Sequence, residues 1–454
     1  MSLPKYPHYK PSGVQWLGDV PAHWEITSLS QICDLLQTGP FGSQLHSDDY
    51  VDAGIPVVNP SNIVGEKIVP DYSCSVSDAD AQRLIQHRLQ AGDVVVGRRG
   101  EMGRCAVVSA LEAGWLCGTG SLLIRLKSHM RPDFLSVYMR TPYVRELLSL
   151  VSVGSTMANL SAGVLGGIRI PTPDYNEQTA IAHFLDHETA KIDALIAEQE
   201  KLIQLLAEKR QATLSHAVTR GLDPAAPMKD SGVAWLGEVP AHWEVRRIKS
   251  LIHSIEQGWS PQCENFPVSS VDEWGVLKVG CVNGGIFRAD ENKKLPPELQ
   301  PVQHYALKKN DVLVSRANTR ELVGSAAVVP EDFSNLMLCD KLYRLRLIEN
   351  LCSADFIAAY LGTGVARSQI ELGASGASSS MLNIGQSVIL DLLMPLPSQQ
   401  EQEKIIAFIT EKTAALDGLY AEAERAIALL KERRAALIAA AVTGQIDVRQ
   451  AVAA

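Results

Sequence analysis

The residues best suited to chemistry in this chain are arginines set among glycines. Arg98, Arg99 and Arg104 lie in GDVVVGRRGEMGR (92–104), just past a valine run that reads as a strand. Guanidinium groups in such a loop can meet a phosphate or fork onto a guanine edge. A second string, NDVLVSRANTR (310–320), offers Arg316, Asn318 and Arg320 in the matching place. Gly39, Gly42, Ser43 and Gln44 in TGPFGSQ form a candidate flexible polar loop whose backbone could approach DNA closely. Asn59, Asn62 and Asn283 carry amides that either pair with adenine or shape turns.

Catalytic patterns are missing. No G-x-x-x-x-G-K-[ST] loop occurs, which argues against a P-loop motor. An adenine methyltransferase needs an Asn/Asp-Pro-Pro-aromatic string for the flipped base. The nearest string, Asn59-Pro60-Ser61-Asn62, lacks the second proline and the aromatic residue. Glu291-Asn292-Lys293 has no upstream acid pair to make a nuclease. His23 and His242 recur inside a repeated PAHWE string beside Trp24 and Trp243, so they read as packed or capping groups. No catalytic residue and no metal ligand is expected. The eight cysteines contain no C-x-x-C pair, and scattered thiols suit a reducing cytosol. No apolar run reaches the ~18 residues of a membrane span, and the polar, proline-rich start is wrong for a signal peptide. The expectation is a soluble cytoplasmic protein. The net charge is −9, and no segment is basic overall. Any DNA contact must therefore use local patches or charge borrowed from a partner.

The elements that hold these residues come as a tandem repeat. KPSGVQWLGDVPAHWEI (10–26) and KDSGVAWLGEVPAHWEV (229–245) agree at thirteen of seventeen positions. IPTPDYNEQTAIAHFLDHETAKIDAL (170–195) likewise matches MPLPSQQEQEKIIAFITEKTAALDGL (394–419). Each copy has a globular part of short Val/Ile runs punctuated by Gly, Pro, Asn and Asp, which reads as mostly β. Short helices are expected within 131–150 and 353–372. Each copy ends in a long helix. Alternating steps of four and three give a seam through Ile181, Leu185, Glu188, Ile192, Leu195, Gln199, Leu202, Leu206, Lys209 and Thr213. The second seam runs through Ile405, Ile409, Lys412, Leu416, Leu419, Ala423, Ala426, Leu430, Arg433 and Leu437. Pro173 and Pro397 precede the helices, and Gly221 and Gly444 follow them. The predicted fold class is α+β: two pseudo-repeated, mostly-β domains joined by two long antiparallel coiled-coil helices. The expected segments are 1–175 and 221–397 for the two domains, 176–220 and 398–447 for the two helices, and a tail at 448–454.

Together these strings resemble the specificity subunit of type I restriction-modification systems. The resemblance rests on SGVxWLGxVPAHWE at both repeat starts (12–25 and 231–244), TGPFGSQL (38–45), YVDAGIPVVNPSNI (50–63), GDVVVGRRGEMGR and IPTPDYNEQTAI. It implies two target-recognition domains, each reading one half of a split double-stranded DNA site, with the helices as spacer. It implies no chemistry in this chain. It further implies two modification subunits that methylate adenine with S-adenosylmethionine, and restriction/translocase subunits that use ATP and Mg. Three other readings stay open on the residues alone: an enzyme that itself cuts or methylates, a coiled-coil scaffold, and a tandem polymer-binding module. The scaffold explains the helices but not two divergent domains with Arg-Gly loops.

Overall fold

A computed structural model describes residues 4–152, 159–348, 350–378 and 381–449. The chain divides into two compact units. The first comprises 1–200 with 425–454, and the second 201–424. Each unit therefore takes one globular part and a half of both long helices, a division that cuts across the segments expected from the sequence.

The first unit is built on an antiparallel sheet of β1 (Cys33–Thr38), β2 (Val94–Gly97), β3 (Cys105–Val107) and β4 (Ser121–Leu126), in the order β3-β2-β4-β1. Val94, Val96, Leu122 and Ile124 point to one core and Val95 and Leu123 to another, as strand alternation requires. Helices α1 (Pro132–Met139) and α2 (Pro142–Val151) close the first core. The long helix α3 spans Tyr175–Arg220. The second unit repeats the plan. Strands β5 (Ile252–Gln257), β6 (Val312–Ser315), β7 (Ala326–Val328) and β8 (Leu342–Leu347) take the equivalent order β7-β6-β8-β5. Helices α4 (Ala354–Leu361) and α5 (Gly364–Leu372) follow, and α6 spans Gln399–Val442.

The duplicated signatures tie globular part to helix. Trp24 and Trp243 are fully buried. His23 pairs with Glu177 at 2.9 Å, and His242 pairs with Glu401 at 2.7 Å, both in the first turn of a long helix. Burial works against ionising Glu401, but His242, Ser398 and Trp243 hold its carboxyl down to about 2. Gln178 and Gln402, one residue further on, each donate to the proline carbonyl that precedes the helix and accept from a distant backbone amide, that of Arg131 and of Ser353. At the far ends, Gly221 and Gly444 take φ of +77° and +74°, left-handed stops that cost glycine little. Gly221 lies against Trp243 and Gly444 against Trp24.

The C-terminal long helix packs antiparallel on the central one. In the first unit Asp193 pairs with Arg434 at 2.9 Å. In the second, Asp417 pairs with Arg210 at 3.3 Å. Going from one pair to the other advances α3 by as many residues as it retreats along α6. The seam differs in detail from the heptad expectation. Ile181, Leu185, Ile192, Leu206, Ile405, Ile409 and Ala423 are buried as expected, but Leu195 is 52% and Leu202 40% exposed. Ile196, Ile203 and Arg210 take the partly buried places on α3, as do Thr413 and Arg434 on α6 in place of Lys412 and Arg433. Alternate seam positions are thus displaced by one residue. Among the described residues no helix is long and apolar enough to cross a membrane.

One ion-pair cluster ties the first globular part to its helices. A hairpin of Ile63–Val64 and Lys67–Ile68 carries Glu66 at its tip. Glu66 meets Arg140 at 2.6 Å and Arg434 at 3.4 Å. Burial opposes its charge, yet the two arginines keep its carboxyl below the ordinary glutamate value. Glu66→Gln is expected to cost roughly 0.5–1 kcal/mol at neutral pH, the range for half-exposed pairs. The folded value lies below the unfolded one, so this increment is complete above about pH 5 and fades as pH falls through the folded value. Denaturant unfolding of wild type and variant should differ at pH 7 and converge near pH 3.

Candidate nucleic-acid interface

In both units the candidate residues gather where four strand ends share one edge of the main sheet. In the first unit β1 ends and β4 begins there, β2 ends and β3 begins. Gly39 follows β1, Arg98 and Arg99 follow β2, and Arg104 precedes β3. The Arg98 backbone is held from both sides. Its amide donates to the Gly120 carbonyl at 3.0 Å, and its carbonyl accepts from Leu160 at 2.9 Å. The Arg98 Nε donates to Asn159 Oδ1 at 2.9 Å. Burial, and then the adjacent Arg99 charge, lower the Arg98 guanidinium from its ordinary value, although it remains a cation. Arg99 is exposed. Arg104 donates to Glu101 at 2.7 Å and to the Pro60 carbonyl at 3.3 Å, while Arg145 also pairs with Glu101.

Several candidates have a structural duty. Gly39 is buried, and its amide donates to Ser121 at 2.9 Å. A Cβ there would overlap the Gly118 carbonyl, so close approach of two backbones, not flexibility, demands glycine. Phe41, Gly42 and Ser43 beyond it are exposed, and Gln44 Oε1 accepts from the Phe41 amide. Asn62 is buried. Its Oδ1 caps the Asn59 amide at 2.9 Å, and its Nδ2 donates to Val69 at 3.1 Å. Asn62 is thus a turn residue. Asn59 sits partly exposed against Gly118, at the same edge as Gly39.

The second unit has the same frame with different side chains. Arg316 donates its amide to Lys341 at 2.9 Å and accepts from Ile384 at 2.9 Å. Its guanidinium turns inward, donating Nη1 to the Asp340 carbonyl at 3.2 Å over the Tyr343 ring. The Arg316 Nε is buried without a partner among the described residues. Asn318 stands where the first unit has Gly100, and its Nδ2 reaches Asn283 Oδ1 at 3.3 Å, so these two amides adjoin. Arg320 and Lys341 are exposed.

Sequence reasoning missed Asn159, Gly118, Lys341 and Asp340. Asn159 had one signal: MANL (157–160) and MLNI (381–384) recur at the offset that relates the tails. No group of acidic, histidine or cysteine side chains among the described residues has the makings of a metal site. The buried thiols of Cys117, Cys339 and Cys352 are each pushed up to about 12 by burial above all, which makes them poor nucleophiles.

Comparison with known proteins places the architecture. Residues 21–205 match the type I restriction modification DNA specificity domain. The chain is 34% identical over 222 residues to the Escherichia coli type I restriction enzyme EcoEI specificity subunit, a match covering 49% of this chain and 36% of that one. It is 22% identical to the Salmonella potsdam StySPI specificity subunit over 94% of this chain and 90% of the relative. A chain solved in work on complex assembly and conformational transition of the type I R-M system shares the fold. It has a TM-score of 0.64 and 19% identity, covering 93% of this chain and 98% of that one. Along nearly its whole length this protein is similar to type I restriction-modification specificity subunits, and within 21–205 it carries their DNA specificity domain.

Proposed function

We propose that each unit reads one half of a bipartite double-stranded DNA site through its strand-end rim, and that the paired helices set the gap between the halves. The observation that carries this reading is the duplication of one rim frame with unlike side chains. Arg98, Arg99 and Asn59 stand in one copy, and Asn283, Asn318, Arg320 and Lys341 in the other. Two equal frames with different polar groups suit an asymmetric site, because base edges are told apart by donor and acceptor pattern. Two modification subunits carrying S-adenosylmethionine methylate adenine in each half. Restriction/translocase subunits using ATP and Mg act on unmodified DNA. This chain supplies the address and no catalytic group, in the cytoplasm where its target lies. Half-sites on one DNA face lie about one helical turn, ~34 Å, apart. A helix of 46 residues, at 1.5 Å per residue, is roughly 70 Å long and has reach to spare.

The test is selection from random DNA by this chain assembled with its modification subunits. The selected pool should converge on two short fixed stretches around an unread gap of constant length. A scaffold or a general polymer binder would return DNA without sequence preference.

A further inference from the structure

We infer that Asn159 is a positioning residue that holds the Arg98 fork against a guanine edge in the first half-site, and that the second unit reads its half-site without the equivalent arginine. The inference rests on the DNA-reading role proposed above and assigns a division of labour within it.

The Arg98 guanidinium has three nitrogens. Asn159 Oδ1 takes the Nε hydrogen at 2.9 Å. That bond fixes the guanidinium plane and leaves both Nη groups without a partner among the described residues. Neither Nη is among the buried, unpaired polar atoms. Two parallel N–H donors on a fixed plane match guanine O6 and N7. The backbone frame allows little drift, since the Arg98 amide and carbonyl are both bonded, the latter to Leu160, the neighbour of Asn159. One short segment therefore sets both where Arg98 starts and how its fork is turned.

Arg316 occupies the same backbone frame but presents nothing comparable. Its Nη1 is spent on the Asp340 carbonyl, its face lies over Tyr343, and its Nε is buried. The position equivalent to Asn159 is Asn383, which pairs by its backbone with Ala317 and Ser375. Polar groups at this rim come instead from the adjoining Asn318 and Asn283 amides and from exposed Arg320 and Lys341.

The experiment compares wild type, Asn159→Ala, Arg98→Ala and Arg316→Ala, each assembled with modification subunits, by selection and by titration of the selected site. Asn159→Ala should relax one base pair of the first half-site and weaken the selected site about 5- to 100-fold, the worth of one bidentate base contact. Its affinity for random DNA and its salt dependence should stay as in wild type, because no charge is removed. Arg98→Ala should relax the same base pair. Arg316→Ala should leave both half-site sequences unchanged. Asn159→Asp keeps the accepting oxygen and should retain selection at that base pair; it also serves if Asn159→Ala does not fold. Unchanged selection in Asn159→Ala, or a relaxed second half-site in Arg316→Ala, overturns the inference while the function stands. A wild-type complex that selects no bipartite site overturns the proposed function, and this inference with it.

Discussion

Adding one heptad to both long helices, in the facing stretches 196–203 and 424–431, is expected to move the recognised gap and spare the half-sites. Seven residues add about 10 Å to a helix, close to three base pairs of DNA. The insertion must be made in both strands of the pair, because a heptad preserves the facing seam only when the partner lengthens with it. The seam is held by Asp193–Arg434 and Asp417–Arg210, one pair in each unit, so the lengthened stretch lies between fixed points of register. The original site should fall toward non-specific affinity, a loss on the order of a thousandfold or more. A new site with the same two half-sequences and a gap about three base pairs longer should take its place. Methylation-protection assays on a series of synthetic sites with graded gaps would read this directly. Altered half-sequences, or an unmoved gap, would show that the helices are not the ruler.

The largest stability effect is expected at Arg344, whose side chain is wholly buried. It pairs with Glu256 and lies 3.7 Å from Asp311, and it donates to the carbonyls of Ala306 and His304 at 2.9 and 3.0 Å. Removing it leaves Glu256 with only His304, at 3.1 Å, and two carbonyls without their donor. Truncating one partner of a buried ion pair costs about 3–5 kcal/mol, chiefly for the charge left behind. The first copy supplies the control. In β8–β5 Arg344 stands opposite Glu256, and in β4–β1 Leu123 stands opposite Gln37. The other pair, Asp311 with Arg346, matches Asp93 with Arg125 in the first copy. Arg344→Ala should thus destabilise the second unit strongly, whereas Arg344→Leu with Glu256→Gln should recover much of the loss by restoring the first copy's solution. Denaturant midpoints of the three chains decide it. Equal loss in the single and double variants would mean the cost is packing volume and not an abandoned charge.

Much of this architecture was legible because repetition amplifies weak signals. The valine run before Arg98 and the leucine-valine run before Arg316 are strands, and the glycines after both helices are left-handed stops. The histidines of PAHWE cap helix starts through Glu177 and Glu401, as the recurrence beside tryptophan suggested. The seam was half legible. Leu195-Ile196 and Leu202-Ile203 are adjacent apolar pairs, so two registers one residue apart are equally hydrophobic, and packing against α6 selects the isoleucines. Glycine-rich TGPFGS reads as a flexible loop by composition, yet Gly39 is demanded by the Gly118 carbonyl on another strand end. Contacts across long stretches of chain, such as Arg98 with Asn159 or Glu66 with Arg434, leave no trace in local pattern. The polar rim was found where arginines follow a strand, but which of them turn outward depends on those distant partners.

The most direct measurement is a genome-wide methylation map of a host expressing this chain with its modification subunit. The account predicts one asymmetric motif of two unlike parts, each carrying a methylated adenine, at a single constant spacing. A contiguous motif, a spacing that varies from site to site, or methylation without any motif would contradict it.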